Sequence, residues 1–596
     1  MRNRLRLLLL LPLAAVGMAK AAGGPSGDMA IRPGRLVLEA PTLVCLGVRW
    51  YVSGDHNGNA RVLVSYRQQG AKAWREGLPL FRVGTGPDTQ EGEARLDRGE
   101  REAWPFLVGN LFAGSIFDLK PGTSYEIKLV MSDPDGGGAT KVLTTSTRPV
   151  PSPPKAKRAL YVVPGEGGGR GTQADPLRGL AAANAAAKAG DLILVRAGVY
   201  QGTFTTDKSG TAEAPIVWRG AEDGETVIDG GGEHRGVSAN QVRHVFFQRL
   251  SIRNSQYGMV AHGASDLVVQ GCHFYRNEFG FTAHNNQPLM RNFYVADNVF
   301  EGPSTWPRTK GIEDARAVQV SGEGHAICYN RIRGFGDGID IMGSPPARAI
   351  DFYNNEISEC TDDAIELDYG QSNVRAFSNR ITNCFEGIST QPLYGGPAYI
   401  FRNAMYNLEY TQFKMHNNPS GALYFHNTVL KSGMPWPLYT SAEVRNAASR
   451  NNLFIGTAAE YAMEFTAPMT NCDFDYDGFG GGPFRLFAKW NERRYGSFEE
   501  FRRESPVERH AVLVDPATAF ESEVLPPQDF KRQFPLGTND LRLRAGSAAI
   551  DAGTRLPNLD DGYRGKAPDL GAYEYGDQLP HYGPRGLFAG TPGRRG

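Results

Sequence analysis

Short runs of alternating apolar and polar residues fill the chain from about residue 227 onward. The clearest pair is Ile339-Asp340-Ile341 and Ile365-Glu366-Leu367-Asp368. In a strand, neighbours point to opposite faces, so Ile339, Ile341, Ile365 and Leu367 are expected to enter a core. Asp340, Glu366 and Asp368 are expected to leave it together. The pattern recurs, with its first core residue at Met259, Phe281, Val318, Ile339, Ile365, Ile388 and Phe413. An Asn accompanies it at 298, 330, 355, 379, 403, 427 and 452; after a first gap of 32 the steps are 25, 24, 24, 24 and 25. A repeat of this length, made of short strands without a helical period, predicts one coil of a parallel β-solenoid per repeat, from about 227 to 465. An Asn at one turn of every coil can hydrogen-bond its copies above and below, so this ladder reads as structure.

Stacking converts positions into ladders. One residue after the core position stand Val260, Thr282, Gln319, Asp340, Glu366, Ser389 and Lys414. Two further on stand His262, His284, Ser321, Met342, Asp368, Gln391 and His416. The outward face is thus expected to carry two histidines, then three carboxylates, then Lys414 and His416. Asp340, Glu366 and Asp368 are the expected centre of the chemistry, as acid, base or metal ligands, with Lys414 and His416 holding an anion or moving a proton. His262, His284, Gln319, Arg316 and Gln391 are expected along the path of a bound ligand. Trp306, in an insertion at 301–315, and Trp436 suit stacking on a sugar ring.

Earlier segments read differently. Runs at 35–38, 46–52, 61–66, 125–131 and 141–145, divided by Gly, Pro and Asp turns, predict a β-sandwich over 30–149. A proline-rich stretch, 150–158, predicts a stiff linker. Within the second unit, 159–577, Asp175-Pro176 and the Ala-rich run 177–189 predict a helix capping the open end of the solenoid. The repeat fades after Phe465, so 466–537 is expected to be an insertion with a short amphipathic helix, and 578–596 a disordered tail.

A chain of 596 residues is too long for one ordinary core. Its 64 basic and 64 acidic residues balance, which argues against a nucleic-acid or membrane-surface partner. Arg2, Arg4 and Arg6 before an apolar run at 7–16, and Ala19-Lys20-Ala21, predict a signal peptide over 1–21 and a secreted or periplasmic bacterial protein. No stretch is long and apolar enough for a membrane span. A monomer is expected. Cys360 and Cys384 fall in one register of successive coils, where parallel side chains favour buried free thiols over a bridge.

Several stretches resemble known families. Leu119-Lys120-Pro121-Gly122-Thr123-Ser124-Tyr125 resembles the tyrosine corner of fibronectin type III domains. The runs 190–200 and 214–220 resemble the N-terminal part of secreted bacterial right-handed, pectin-lyase-like β-helix proteins, and 541–576 a C-terminal element common on them. The fold expected is therefore all-β: a right-handed parallel β-helix preceded by a fibronectin-like sandwich. Asp337-Gly338-Ile339-Asp340, Thr361-Asp362-Asp363 and Lys414-Met415-His416 resemble the motifs of polygalacturonases, which implies catalytic carboxylates at Asp337, Asp362 and Asp363. Asp340 with Glu366-x-Asp368 also resembles the calcium-binding triad of the chondroitinase-B and alginate-lyase family. That likeness implies Ca2+ on Asp340, Glu366 and Asp368, and a base drawn from His416, Lys414, Arg316 or Tyr369.

Both likenesses imply a polysaccharide substrate. Strand spacing puts Glu366/Asp368 and Asp340/Asp368 near the roughly 6.5–9.5 Å that an inverting glycosidase needs. The first expectation is thus a glycoside hydrolase. The alternatives are a calcium-assisted lyase on a uronate polymer and a non-catalytic glycan-binding protein.

Overall fold

The computed structural model describes residues 28–586, apart from 85–92, 97–103, 108–109, 285–289, 309–313, 343–346 and 439–441. The segment expected to be a signal peptide lies outside the described residues.

From Arg158 onward the chain winds into a parallel β-helix. Among the described residues most of its strands form one sixteen-stranded and one twenty-stranded sheet, beside a smaller four-stranded and a two-stranded one. The core ladder has the register expected from the repeat: Met259 pairs with Phe281, then Val318, Ile339, Ile365, Ile388 and Phe413 in turn. All seven are fully buried. Each such side chain contributes about 1.5–3 kcal/mol of burial, and identical positions stack, so every coil completes its neighbour's core. The Asn ladder forms as well. Each Asn Nδ2 from Asn298 to Asn427 donates to the Oδ1 of the next Asn at 2.8–3.0 Å.

The ladder does not stop at Asn452, which donates to Asp477 at 2.9 Å. The twenty-stranded sheet runs on through Gly478–Gly480 to Val512–Leu513. Much of the expected insertion 466–537 is therefore more solenoid. Its strands are only two or three residues long, too short for alternation to show. The helix Phe498–Glu504 lies there, capped by Ser497 Oγ accepting from Glu500 N, and buries Phe501 in the core.

Two further expectations change. The capping helix covers only Leu180–Ala186, because Leu177–Arg178 pairs as a strand with Val162–Val163. Strand pairing at the first coil overrides the helix propensity of the Ala run, while Leu180 and Ala183 still close the end of the core. Residues 578–586 are ordered against the solenoid: Tyr582 is buried with its hydroxyl 2.6 Å from that of Tyr573, and Arg585 pairs with Asp297 at 2.6 Å. The remaining tail lies outside the described residues.

The N-terminal unit consists of two four-stranded antiparallel sheets over a shared core that includes Trp50, Val62, Phe112 and Ile127. Tyr125 Oη accepts from Lys120 N at 2.9 Å, the hydrogen bond of a tyrosine corner. This unit is not held off on a linker. Leu43, Cys45 and Phe117 pack into an apolar layer with Phe377, Tyr399 and Phe401 on the sixteen-stranded sheet. Arg148 donates to the carbonyls of Asn292 and Gly324 at 2.9 and 2.7 Å. Docking leaves the twenty-stranded sheet to carry the acidic face. Cys360 and Cys384 are buried free thiols. Among the described residues no helix is long and apolar enough to cross a membrane.

Candidate active site

The acidic face is built around a corner in the coil. Asp337-Gly338-Ile339, Asp363-Ala364-Ile365 and Glu386-Gly387-Ile388 recur in three successive coils: an acid, a small residue, then the core residue. The small residue is required by crowding. A Cβ on Gly338 would stand 2.5 Å from the Ala364 carbonyl oxygen, and one on Gly387 2.5 Å from that of Gln412. Strict alternation fails here: Arg316 Nε reaches both Asp337 and Asp340, so the residue before the corner faces the same side as the residue after the core position. Asp337, Asp363 and Glu386 thereby join Asp340, Glu366 and Lys414.

Carboxylate oxygens of Asp337, Asp363 and Glu366 lie within 4.8 Å of one another, as do those of Asp362, Asp363 and Glu386. Lys414 Nζ stands over the second group, 2.8 Å from Asp363 Oδ2, 3.4 Å from Glu386 Oε2 and 3.6 Å from Asp362 Oδ1. Asp363 N donates to Asp337 Oδ1 at 3.2 Å. Asp363 Oδ1 is buried without a hydrogen-bond partner. Burial, with the neighbouring acids adding to it, holds the carboxyls of Asp337, Asp363 and Glu366 well above the usual range. Burial also pushes Glu386 up to about 7, against the pull of Lys414. Burial lowers the Lys414 ammonium, but Asp363, Asp362 and Glu386 more than reverse this and raise it above the ordinary lysine value.

The other expected residues surround this cluster. Asp340 Oδ2 accepts from Gln319 Nε2 at 2.8 Å and pairs with Arg316 Nε at 2.8 Å; Arg316 also reaches Asp337 at 3.3 Å. Asp368 Oδ1 accepts from Ser389 Oγ at 2.7 Å and from the Gln391 backbone at 2.5 Å, and burial pushes its carboxyl up to about 7. Of the three expected metal ligands, Glu366 lies in a converging group, while Asp340 and Asp368 are turned to these other partners. His416 sits half-buried beside Lys414, and burial and that charge lower it. His262 and His284 meet edge to face at 5.2 Å on the earlier coils.

The tryptophans are not on the groove surface. Trp306 is buried against Phe530, and Trp436 is inside the core, stacked on Phe474. Glu386 escaped the sequence reading, although the repeated acid–small–Ile triplet carries the signal.

The donor set suits a hard divalent cation. Calcium takes carboxylate oxygens at about 2.3–2.6 Å, so two ligand oxygens lie up to about 5 Å apart, which Asp337, Asp363 and Glu366 satisfy. The orphaned Asp363 Oδ1 points the same way, and the acids crowded around Asp337, Asp363 and Glu366 add to burial in disfavouring their charge, which a bound cation would offset.

No protein-family model matches the chain. Pectate lyase L of Dickeya dadantii (strain 3937) is 24% identical over 447 residues, covering 70% of this chain and 91% of that protein. Pectate lyase L of Dickeya chrysanthemi matches to the same extent. Among solved structures, a rhamnogalacturonan lyase is 13% identical, covers 50% of this chain and 82% of its own, and has a TM-score of 0.36. A TM-score this low adds nothing to the fold, which stands on its own strand register. The likeness to pectate lyase L, along most of both chains, supports a carbohydrate-active parallel β-helix enzyme, a glycoside hydrolase or a polysaccharide lyase.

Proposed function

We propose that this protein is a cation-dependent polysaccharide lyase acting on a uronate-containing polymer, with Lys414 as the base. The observation that carries this reading is the convergence of Asp337, Asp363 and Glu366 on one point. A glycosidase needs two carboxyls flanking a bond, about 5–9.5 Å apart, with only one of them protonated. Three carboxylates aimed at one another instead suit a shared cation. Bound there, a divalent cation would supply positive charge against the substrate carboxylate and stabilise the charge that builds up when the neighbouring C–H is deprotonated.

The chain's own residues supply the rest. Asp362, Asp363 and Glu386 keep Lys414 charged while their own charge is free. With a cation on Asp337, Asp363 and Glu366, the charge of Asp363, the strongest of the three on Lys414, is taken up, and the balance shifts toward the neutral amine that burial favours. Lys414 Nζ then takes the proton from the carbon next to the uronate carboxyl. The C–H electron pair forms the new double bond as the glycosidic C–O bond on the next carbon breaks, its electron pair leaving on the oxygen, which takes a proton from water. His416 and Arg316 flank this point, and Arg316 keeps Asp340 in place.

One feature favours hydrolysis: Asp368, pushed up to about 7, has the strength of a general acid. The test is incubation with a panel of polysaccharides, with and without chelator. The lyase reading expects a new ultraviolet absorbance from an unsaturated uronate, abolished by chelator and restored by Ca2+. New reducing ends without that absorbance would establish a hydrolase instead. The export signal expected over 1–21 accords with a polymer substrate outside the cell.

A further inference from the structure

The ladder before the corner continues away from the acidic cluster. Arg235 pairs in register with Tyr257, Tyr257 with Phe279, Phe279 with Arg316, and Arg316 with Asp337. Asp337 and Arg235 are thus four coils apart, about 19 Å. The Tyr257 and Phe279 rings stack at 4.6 Å and 12°. Beyond the corner, on the same side, lie His262 and His284.

The two arginines of this ladder differ. Arg316 is spent on Asp340 and Asp337. Arg235 is half-buried, its Nε is buried without an acceptor, and no carboxylate among the described residues pairs with it. On the adjoining strand Arg253 shows what a purely structural arginine does here: it pairs with Asp229 at 2.8 Å and bonds Tyr275 at 3.1 Å. Burial, then His284 and Arg235, push His262 down to about 4, and burial lowers His284 too. Near neutral pH both histidines are uncharged hydrogen-bonding groups, and the charge at this end of the groove is that of Arg235.

We propose that Arg235, the Tyr257–Phe279 stack and the His262–His284 pair form a distal subsite for an anionic sugar. This rests on the polymer-cleaving reading above. A uronate ring would lie against the half-buried Tyr257, whose ring the buried Phe279 backs, with its carboxylate on Arg235 and its hydroxyls within reach of the neutral histidines. The consequence is a length requirement: a substrate must carry an anionic unit about 19 Å from the cleavage point to use the subsite.

The test compares the wild type, Arg235→Gln and, as a control, Arg243→Gln, an exposed arginine on the opposite sheet. Binding of long oligogalacturonides and of a disaccharide is measured by calorimetry in the Lys414→Met background, and KM and kcat are measured with Lys414 present. For Arg235→Gln we expect affinity for the long ligand to fall, and KM to rise, by about tenfold or more. The disaccharide, kcat and the control should be unchanged. Cleavage of polymer with length dependence unaffected by Arg235→Gln overturns the subsite and leaves the activity standing. Arg235-dependent binding with no cleavage overturns the activity and leaves the subsite. Neither binding nor cleavage by the wild type overturns both.

Discussion

Two buried charge clusters lie on opposite faces of the same solenoid, and they are balanced differently. Where the N-terminal unit docks, the two buried acids Asp351 and Glu39 each have a cation. Arg375 Nε is 2.5 Å from Asp351 Oδ1, and Arg49 Nε is 2.8 Å from Glu39 Oε1. The leftover capacity goes to neutral groups: Arg375 donates to Ser115 Oγ at 3.0 Å, Ser115 to Asn373 at 2.8 Å, and Asn373 to Glu39 at 2.8 Å. In the groove, among the described residues, Asp337, Asp340, Asp362, Asp363, Glu366, Asp368 and Glu386 have only Arg316 and Lys414 as cations. The docking network leaves Asp351 Oδ2 and Arg375 Nη2 without hydrogen-bond partners, but its acids and cations match one to one, which fixes one arrangement of two units. A network with surplus acid and raised carboxyls is incomplete until a cation or protons join it.

Breaking each cluster should therefore give different damage. The largest effect is expected from Lys414→Met in the groove: turnover should fall by about 10²–10⁴-fold in a uronate-release assay, as for loss of a general base. Cation binding should survive this change. Arg375→Met at the docking face should do the reverse. It leaves Asp351 buried and unpaired, so denaturant unfolding should show a loss of about 3–5 kcal/mol, while kcat per folded molecule stays unchanged. If Arg375→Met abolished activity in a still-folded protein, the two faces would not be separable in this way.

Asp363→Asn sharpens the contrast. It removes an oxygen shared by both converging groups, so Ca2+ affinity should fall by about tenfold or more in a direct titration. The melting temperature of the cation-free protein should not fall, because a buried surplus acid has been neutralised.

A smaller effect is expected in the pH dependence. Glu386 and Asp368 sit near 7 when folded, against roughly 4 when unfolded. Between those values the folded state holds more protons, so the stability of the cation-free protein should fall as pH rises from about 4 to about 7. Saturating Ca2+ should flatten that slope in thermal melts, and an equal slope with and without Ca2+ would contradict the surplus-charge account.

The coil repeat was legible because it depends only on local periodicity. From Asn330 onward the Asn residues return every 24 or 25 positions, the core residues of the outward strand return more loosely, and both ladders form in the expected register. The corner was not legible by alternation, which assigns Asp337 to the same inner face as Ile339. Asp337 nonetheless shares Arg316 with Asp340, and the crowding of Gly338 against the Ala364 carbonyl shows only when the coils are stacked. The acidic ladder at 340 and 366 was therefore visible, while Asp337 and Asp363 were reached only through a family likeness and Glu386 not at all. The tryptophans show the converse: hydrophobicity marked Trp306 and Trp436 as ligand platforms, but packing took both. Docking of the N-terminal unit was hidden because its contacts join residues far apart in the chain, such as Ser115 and Asn373.

The most direct test is a calorimetric titration of Ca2+ into chelator-stripped protein near pH 7, in two buffers of different ionisation enthalpy. The account predicts saturable binding accompanied by proton release, both weakened by Asp363→Asn and untouched by Arg375→Met in the folded protein. No saturable binding, or binding indifferent to Asp363→Asn, would contradict it.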